Sequence, residues 1–327
     1  MLKRTTLLLL ILMVFQLMNT KAQQYPSFTH YNFNKFVNNP AAAGVDGYTT
    51  VGLLAREQWV GIGGTPKTHG VIFDSRILGD SYILKKIPIR KRSNSKTRSG
   101  NTAWGAYIIN DANGPISRTW INGTYAYHIN LGEQQLSFGL SMLAFQNRLD
   151  ADQLTTYDNI DDPLIGAGKQ SFWILDANFG AFLSARDYYA GYSIVQLFNS
   201  SAMFGVDEDG VYKLNRQHMF TGGYKFYLTN RIDLEPSAML KIPETLHAQL
   251  DLTAKVTFDK KYWAGLNFKT GSAMAIFGGL NYDRYYFGYA FEYNFNSMGK
   301  NSLATHELII MARFGDSARR YKWLNSY

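Results

Sequence analysis

The sequence predicts an all-β fold, a transmembrane antiparallel β-barrel of about fourteen strands, and three observations carry that reading. Short stretches of period-two alternation run along the chain. An export signal precedes them, and no later apolar run approaches the roughly 20 residues that a membrane-crossing helix needs. Backbone in lipid must satisfy its own hydrogen bonds, so such a chain can enter a membrane only as a closed barrel. Residues 285–295 state the pattern most strongly: Tyr285, Phe287, Tyr289, Phe291, Tyr293 and Phe295 alternate with Tyr286, Gly288, Ala290, Glu292 and Asn294. Side chains alternate faces along a strand, which gives one aromatic face for lipid and one small or polar face for a lumen.

Residues 1–22 read as a signal peptide. Lys3 and Arg4 give the positive start, 7–14 is apolar, and Thr20-Lys21-Ala22 offers small residues for cleavage before Gln23. There are no cysteines, which excludes a lipid anchor at the cleavage site, disulfides and thiolate metal sites. Losing Lys3, Arg4 and Lys21 would take three charges from the formal +8, so the whole-chain pI overstates how basic the working protein is. Charged residues are 18% against 15% aromatic, where an ordinary soluble domain averages about 25% charged. Residues 23–46 lack clean alternation and are expected to form a periplasmic or plug segment, the candidate filling for the lumen.

The barrel is expected over 47–315, with strands at 47–59, 68–78, 101–111, 117–131, 134–149, 171–185, 188–199, 216–229, 231–242, 246–258, 262–270, 273–282, 285–297 and 304–315. An even count suits a single-chain bacterial barrel. Even-numbered connections such as Gly132-Glu133, Arg186-Asp187 and Asp283-Arg284 are tight, whereas 150–170, 200–215 and 296–305 are long and polar. Short periplasmic turns and long outer loops would put both termini in the periplasm, with 316–327 as a periplasmic extension. The exception is the second connection, long and basic through Lys85, Lys86, Arg90, Lys91, Arg92, Lys96 and Arg98. It reads either as a solvated loop or as a docking loop for an acidic partner or anionic headgroups. Export makes nucleic acid an implausible partner.

Within the strands, Pro236 donates no ladder hydrogen bond, and a bulge is its expected accommodation. Trp59, Trp104, Trp173 and Trp263 fall near strand ends, the place of interfacial girdles, with single core tryptophans as the alternative. The inward parity carries Asp74, Arg76, Arg118, Asp176, Lys225, Asp233, Glu235, Lys241, Asp251, Lys255, Glu292, Glu307 and Arg313. Both signs mix, which predicts cross-barrel pairing in place of a one-sign selectivity lining.

Chemistry has few footholds. The six histidines lack metal-ligand spacing, and adjacent His306 and Glu307 must face opposite sides of a strand. Gly63-Gly64-Thr65-Pro66-Lys67-Thr68 lacks phosphate-loop spacing, and no G-x-S-x-G elbow is present. Asp158, Asp161 and Asp162 read as a solvated acidic loop before a Ca²⁺ site. No catalytic residue, cofactor or metal is expected, and the protein is read as a non-enzyme.

Several ordered segments resemble the PorP/SprF family: Tyr31-Asn32-Phe33-Asn34, Asn38-Asn39-Pro40-Ala41-Ala42-Ala43-Gly44, Arg56-Glu57-Gln58-Trp59-Val60-Gly61 and Thr65-Pro66-Lys67-Thr68. Leu136-Ser137-Phe138-Gly139-Leu140, Tyr262-Trp263-Ala264-Gly265-Leu266 and His306-Glu307-Leu308 are also similar to it, so the resemblance spans about 24–314. Asn39, Pro40, Gly44, Arg56, Gln58, Trp59, Pro66 and Lys67 are its motif residues. The resemblance implies an outer-membrane component of the type IX secretion system of Bacteroidota, supporting secretion or surface attachment of large adhesins, often linked to gliding motility. Implied partners are outer-membrane lipid, the adhesin, other type IX subunits and a periplasmic peptidoglycan-binding protein. The basic second connection and the 315–327 tail with Arg319, Arg320, Lys322 and Trp323 depart from the family pattern. Arg319, Arg320 and Trp323 join the basic loop as candidate partner contacts. The alternative function is a passive transporter or porin for small or hydrophobic solutes.

Overall fold

The computed structural model describes residues 26–77, 101–150, 169–204, 210–244, 248–295 and 304–314. Fourteen antiparallel strands close into one barrel: β1 (Thr49–Glu57), β2 (Lys67–Ile77), β3 (Thr102–Asn113), β4 (Ile116–Leu131), β5 (Gln134–Asp150), β6 (Lys169–Ala185), β7 (Tyr188–Val195), β8 (Gln217–Tyr224), β9 (Ile232–Pro243), β10 (Gln249–Phe258), β11 (Tyr262–Lys269), β12 (Ala273–Tyr282), β13 (Tyr285–Asn294) and β14 (Thr305–Phe314). Each strand pairs with its sequence neighbour, and β1 closes on β14 from Thr49 opposite Phe314 to Glu57 opposite His306. Both ends of the barrel chain therefore lie at one rim, with the even-numbered connections. Closure removes every sheet edge, as lipid requires.

The alternation resolves as expected. Tyr285, Phe287, Tyr289, Phe291, Tyr293 and Phe295 are all exposed on the outer wall, whereas Gly288, Ala290, Glu292 and Asn294 are buried inside. In β4, Ile121, Tyr125, Tyr127 and Ile129 face out, and Trp120, Asn122, Thr124 and His128 face in. The outer surface is an apolar band of the kind that meets hydrocarbon. Among the described residues, no helix is long and apolar enough to cross a membrane.

Four expectations need correction. Odd-numbered connections are not uniformly long: Gly114-Pro115 and 270–272 are as tight as the even set, with Gly114 and Gly271 at positive φ. Pro236 makes no bulge. Gly223 pairs with Ser237 and Phe226 with Leu234, three residues on along each strand, so the register is kept and the pairing merely lapses opposite the proline. The seventh strand stops at Val195, short of 199, because Gln196 and Asn199 take φ of 59° and 52° and turn the chain inward. Trp104 and Trp173 face outward as girdle residues do, but Trp263 is buried inside, its indole seated against Gly279 and Gly288. Trp59 is half-buried in the first connection, with φ of 52°.

Candidate functional site: the filled lumen

The lumen holds the chain's own N-terminal segment. Phe28, Thr29, His30, Tyr31, Phe36 and Val37 are each at most 5% exposed. The segment has no long periodic element because it must satisfy a wall, not a solvent boundary. A single helical turn, α1 (Lys35–Asn38), is followed by a 3-10 turn at Pro40–Ala42. Proline suits the first position of a turn, where its missing N–H would have no partner. Asn39 caps this turn, its Oδ1 accepting from the Ala41 N–H at 2.9 Å. Its Nδ2 donates to the carbonyls of Ala181 (3.1 Å) and Tyr192 (3.2 Å), so one side chain fixes the turn to both β6 and β7. Gly44, at φ 63°, donates its N–H to Asp74 Oδ2 at 2.9 Å.

The wall is shaped to receive this backbone. Gly139 and Gly180 sit opposite each other across β5 and β6. A Cβ on Gly139 would lie 2.3 Å from the Pro40 carbonyl carbon, and one on Gly180 would lie 2.0 Å from Asn39 Oδ1. Only glycine permits that approach.

Nearer the opposite rim, buried charge ties the segment to the barrel's closing seam. Arg56 on β1 reaches Glu292 Oε1 on β13 at 2.7 Å and Glu307 Oε2 on β14 at 2.9 Å. Lys269 on β11 binds the other Glu292 oxygen. The segment supplies the remaining donors. Thr29 N–H and His30 N–H each bond Glu307 at 2.9 Å, His30 Nδ1 lies 2.7 Å from Glu307 Oε1, and Thr29 Oγ1 donates to Glu292 at 2.8 Å. Two cations meet two carboxylates, and all four carboxylate oxygens accept hydrogen bonds. A buried ion cluster is tolerable on those terms, and removing one member leaves an uncompensated charge. His30 and Phe33 pack on Trp263, with centroids 5.8 Å and 4.1 Å away.

Further pairs mix sign as expected, but they join adjacent strands of the wall and do not cross the barrel. Lys241 bridges Asp251 at 3.0 Å and donates to Ser27 Oγ at 2.6 Å; Lys255 bridges Glu235 at 2.6 Å. Beside the latter pair a cavity of about 170 Å³ opens near the even rim, lined in part by Lys35, Lys225, Asp233 and Arg313. Burial pushes the Lys35 ammonium down to about 8, against the pull of Glu235 and Asp46.

The motif residues divide into two groups. Asn39, Pro40, Gly44 and Arg56 build the filled lumen. Gln58, Trp59 and Pro66 lie in the first connection and Lys67 opens β2; Gln58 N–H bonds the Pro66 carbonyl (2.9 Å) and Lys67 lies 3.6 Å from Glu57. Thr29, His30, Lys269 and Gly180 escaped sequence reading, although the inward parity of Lys269 on β11 was a signal that could have found it. The basic residues Lys85, Lys86, Arg90, Lys91, Arg92, Lys96 and Arg98 lie outside the described residues. So do Asp158, Asp161, Asp162, Arg319, Arg320 and Trp323. Among the described residues, no group of three His, Asp or Glu side chains is set to hold a metal.

A family model described as "Type IX secretion system membrane protein PorP/SprF" matches residues 20–311. No curated protein matches. Solved structures are matched at low identity. A Pseudomonas aeruginosa FadL homologue is 10% identical with TM-score 0.44, covering 88% of this chain and 94% of its own. A TodX monoaromatic hydrocarbon channel mutant is 10% identical with TM-score 0.41, covering 85% and 92%. A Rh. blastica porin mutant is 7% identical with TM-score 0.33, covering 82% and 99%.

Proposed function

Because the chain belongs to the PorP/SprF family of type IX secretion system membrane proteins, we propose that this outer-membrane barrel supports secretion or surface attachment of a large adhesin by binding, not by conduction. The observation that carries the reading is the lumen, occupied by residues 28–45 and bonded to β1, β2, β6, β7, β9, β13 and β14. Segments that carry the family resemblance, far apart in sequence, meet there: Tyr31, Phe33, Asn39, Arg56, Gly139, Trp263 and Glu307. That these residues fill the lumen supports a barrel that works through its rims. The solute-transporter alternative needs a continuous open path, and the packed interior weighs against it.

In this reading the even rim, where both barrel ends lie, faces the periplasm. The odd rim meets the adhesin, in keeping with a gliding-type role in a Bacteroidota cell. The basic Lys85–Arg98 stretch and Arg319, Arg320 and Trp323 meet other type IX subunits or a peptidoglycan-binding protein. Affinity purification of the tagged chain from native outer membranes tests this. It should recover a very large secreted protein together with type IX subunits, and recovery of neither would refute it. Deleting residues 85–98 should weaken the envelope contacts while leaving barrel assembly intact; an unchanged set of periplasmic partners would refute that assignment.

A further inference from the structure

In the connection from β7 to β8, residues 196–204 and 210–216 do not stand off the barrel; they fold back into the mouth at the odd rim. Asp176, on the inner face of β6 and 6% exposed, holds it there: Oδ1 accepts from Phe198 N–H at 2.9 Å and Oδ2 from Ser200 N–H at 3.0 Å. Asn178, two residues along the same face, takes Gln196 N–H at 2.9 Å. The returning arm is tied to the outgoing one by Leu214 N–H to the Ser200 carbonyl, 2.9 Å. Tyr212 then stacks on Phe145 of β5 at 5.7 Å and packs on Phe172 of β6 at 5.4 Å.

This arm and the N-terminal segment share one interior. Phe28, Phe36, Val37 and Ala43 belong to the same contiguous apolar cluster as Phe145, Val195 and Leu214, with Ala202 and Tyr212 packed against it. Close-packed interiors transmit a displaced neighbour as lost contacts and not as a smooth deformation. We infer that residues 196–204 and 210–216 form a strap that completes the core behind the N-terminal segment, so that lifting the strap at the odd rim loosens the segment toward the other rim. The inference goes beyond the proposed function and does not depend on which partner lifts the strap. Coupling of this kind is reciprocal.

Hydrogen exchange on the full chain in lipid nanodiscs, read on peptides covering 35–45 and 196–204, tests the coupling. Heat-modifiable migration reports barrel closure. Asp176→Ala, and separately Tyr212→Ala, should speed exchange in both segments by about fivefold or more. Val37→Ala, confined to the N-terminal segment, should in turn speed exchange in 196–204. Faster exchange in 196–204 with 35–45 at its native rate would overturn the inference, as would native rates in both segments of a closed barrel. Should neither strap variant close its barrel, Val37→Ala decides: unchanged exchange in 196–204 overturns the coupling.

Discussion

Replacing Gly139 with alanine should undock the N-terminal segment while leaving the barrel wall intact. The added Cβ would sit 2.3 Å from the Pro40 carbonyl carbon and 2.4 Å from the Ala41 nitrogen, both backbone atoms of a turn held by Asn39. No flexible side-chain end is available to give way, so the turn must retreat by roughly 1 Å, an overpacking that costs about 1–3 kcal/mol. That is roughly a 5- to 150-fold rise in the undocked population. The wall loses no ladder bond, and alanine sheds some of the entropy that glycine forfeits in a strand. Trypsin cleavage after Lys35 in the solubilised, heat-modifiable barrel reads the undocked state when reclosing outpaces cleavage. Gly139→Ala should speed that cleavage by the same factor. Gly123→Ala, at an exposed position whose new Cβ would meet nothing within 4 Å, should leave it unchanged. Native cleavage rates for Gly139→Ala in a closed barrel, or equal acceleration by Gly123→Ala, would refute the reasoning.

Three other outcomes follow from the same contacts. Arg56→Ala leaves the buried Glu292 and Glu307 with Lys269 as the one remaining cation of the cluster and should cost about 3–5 kcal/mol, visible as an earlier urea unfolding midpoint. Arg56→Lys should restore only part, since one ammonium does not span both carboxylates as the guanidinium fork does; an unshifted midpoint for Arg56→Ala would count against the seam. Leu266→Arg puts charge on the lipid face of β11 and should cost about 2–4 kcal/mol near the bilayer midplane, lowering folding yield into vesicles without changing cleavage at Lys35. The depressed Lys35 ammonium makes docking pH-dependent. Docked, it titrates near 8; undocked, at its ordinary 10.5. The undocked state therefore holds more protons between those values, and docking tightens as pH rises through that window. Chymotryptic cleavage within 31–37 should fall from pH 8 to 10 in the native chain and stay flat in Lys35→Met; parallel profiles would dismiss the role of Lys35.

The barrel was legible because lipid imposes a rule on every strand. In Tyr285–Asn294 the aromatic positions must face out whatever their partners, so period-two alternation marks the strand and its faces, and counting the turns makes it the thirteenth. The lumen imposes no such period. Asn39 and Pro40 act through Gly139, Ala181 and Tyr192, more than ninety residues away, and nothing local to 26–48 announces those contacts. Trp263 showed the limit of position alone. Its place near a strand end suggested a girdle, but inward parity and the glycines at 279 and 288 put the indole inside. Arg56 stood out only through family resemblance. Its partners Glu292 and Glu307 have the parity of lumen charges, yet only closure of β1 on β14 brings the three together.

The central claim is that this barrel serves secretion by holding a partner and not by passing solutes. The most direct measurement compares a strain lacking the gene with its complemented parent, for surface proteins and for uptake of small hydrophobic and polar solutes together. The account predicts selective loss of one very large protein from the cell surface, with solute uptake unchanged. An intact surface proteome accompanied by reduced solute uptake would contradict it.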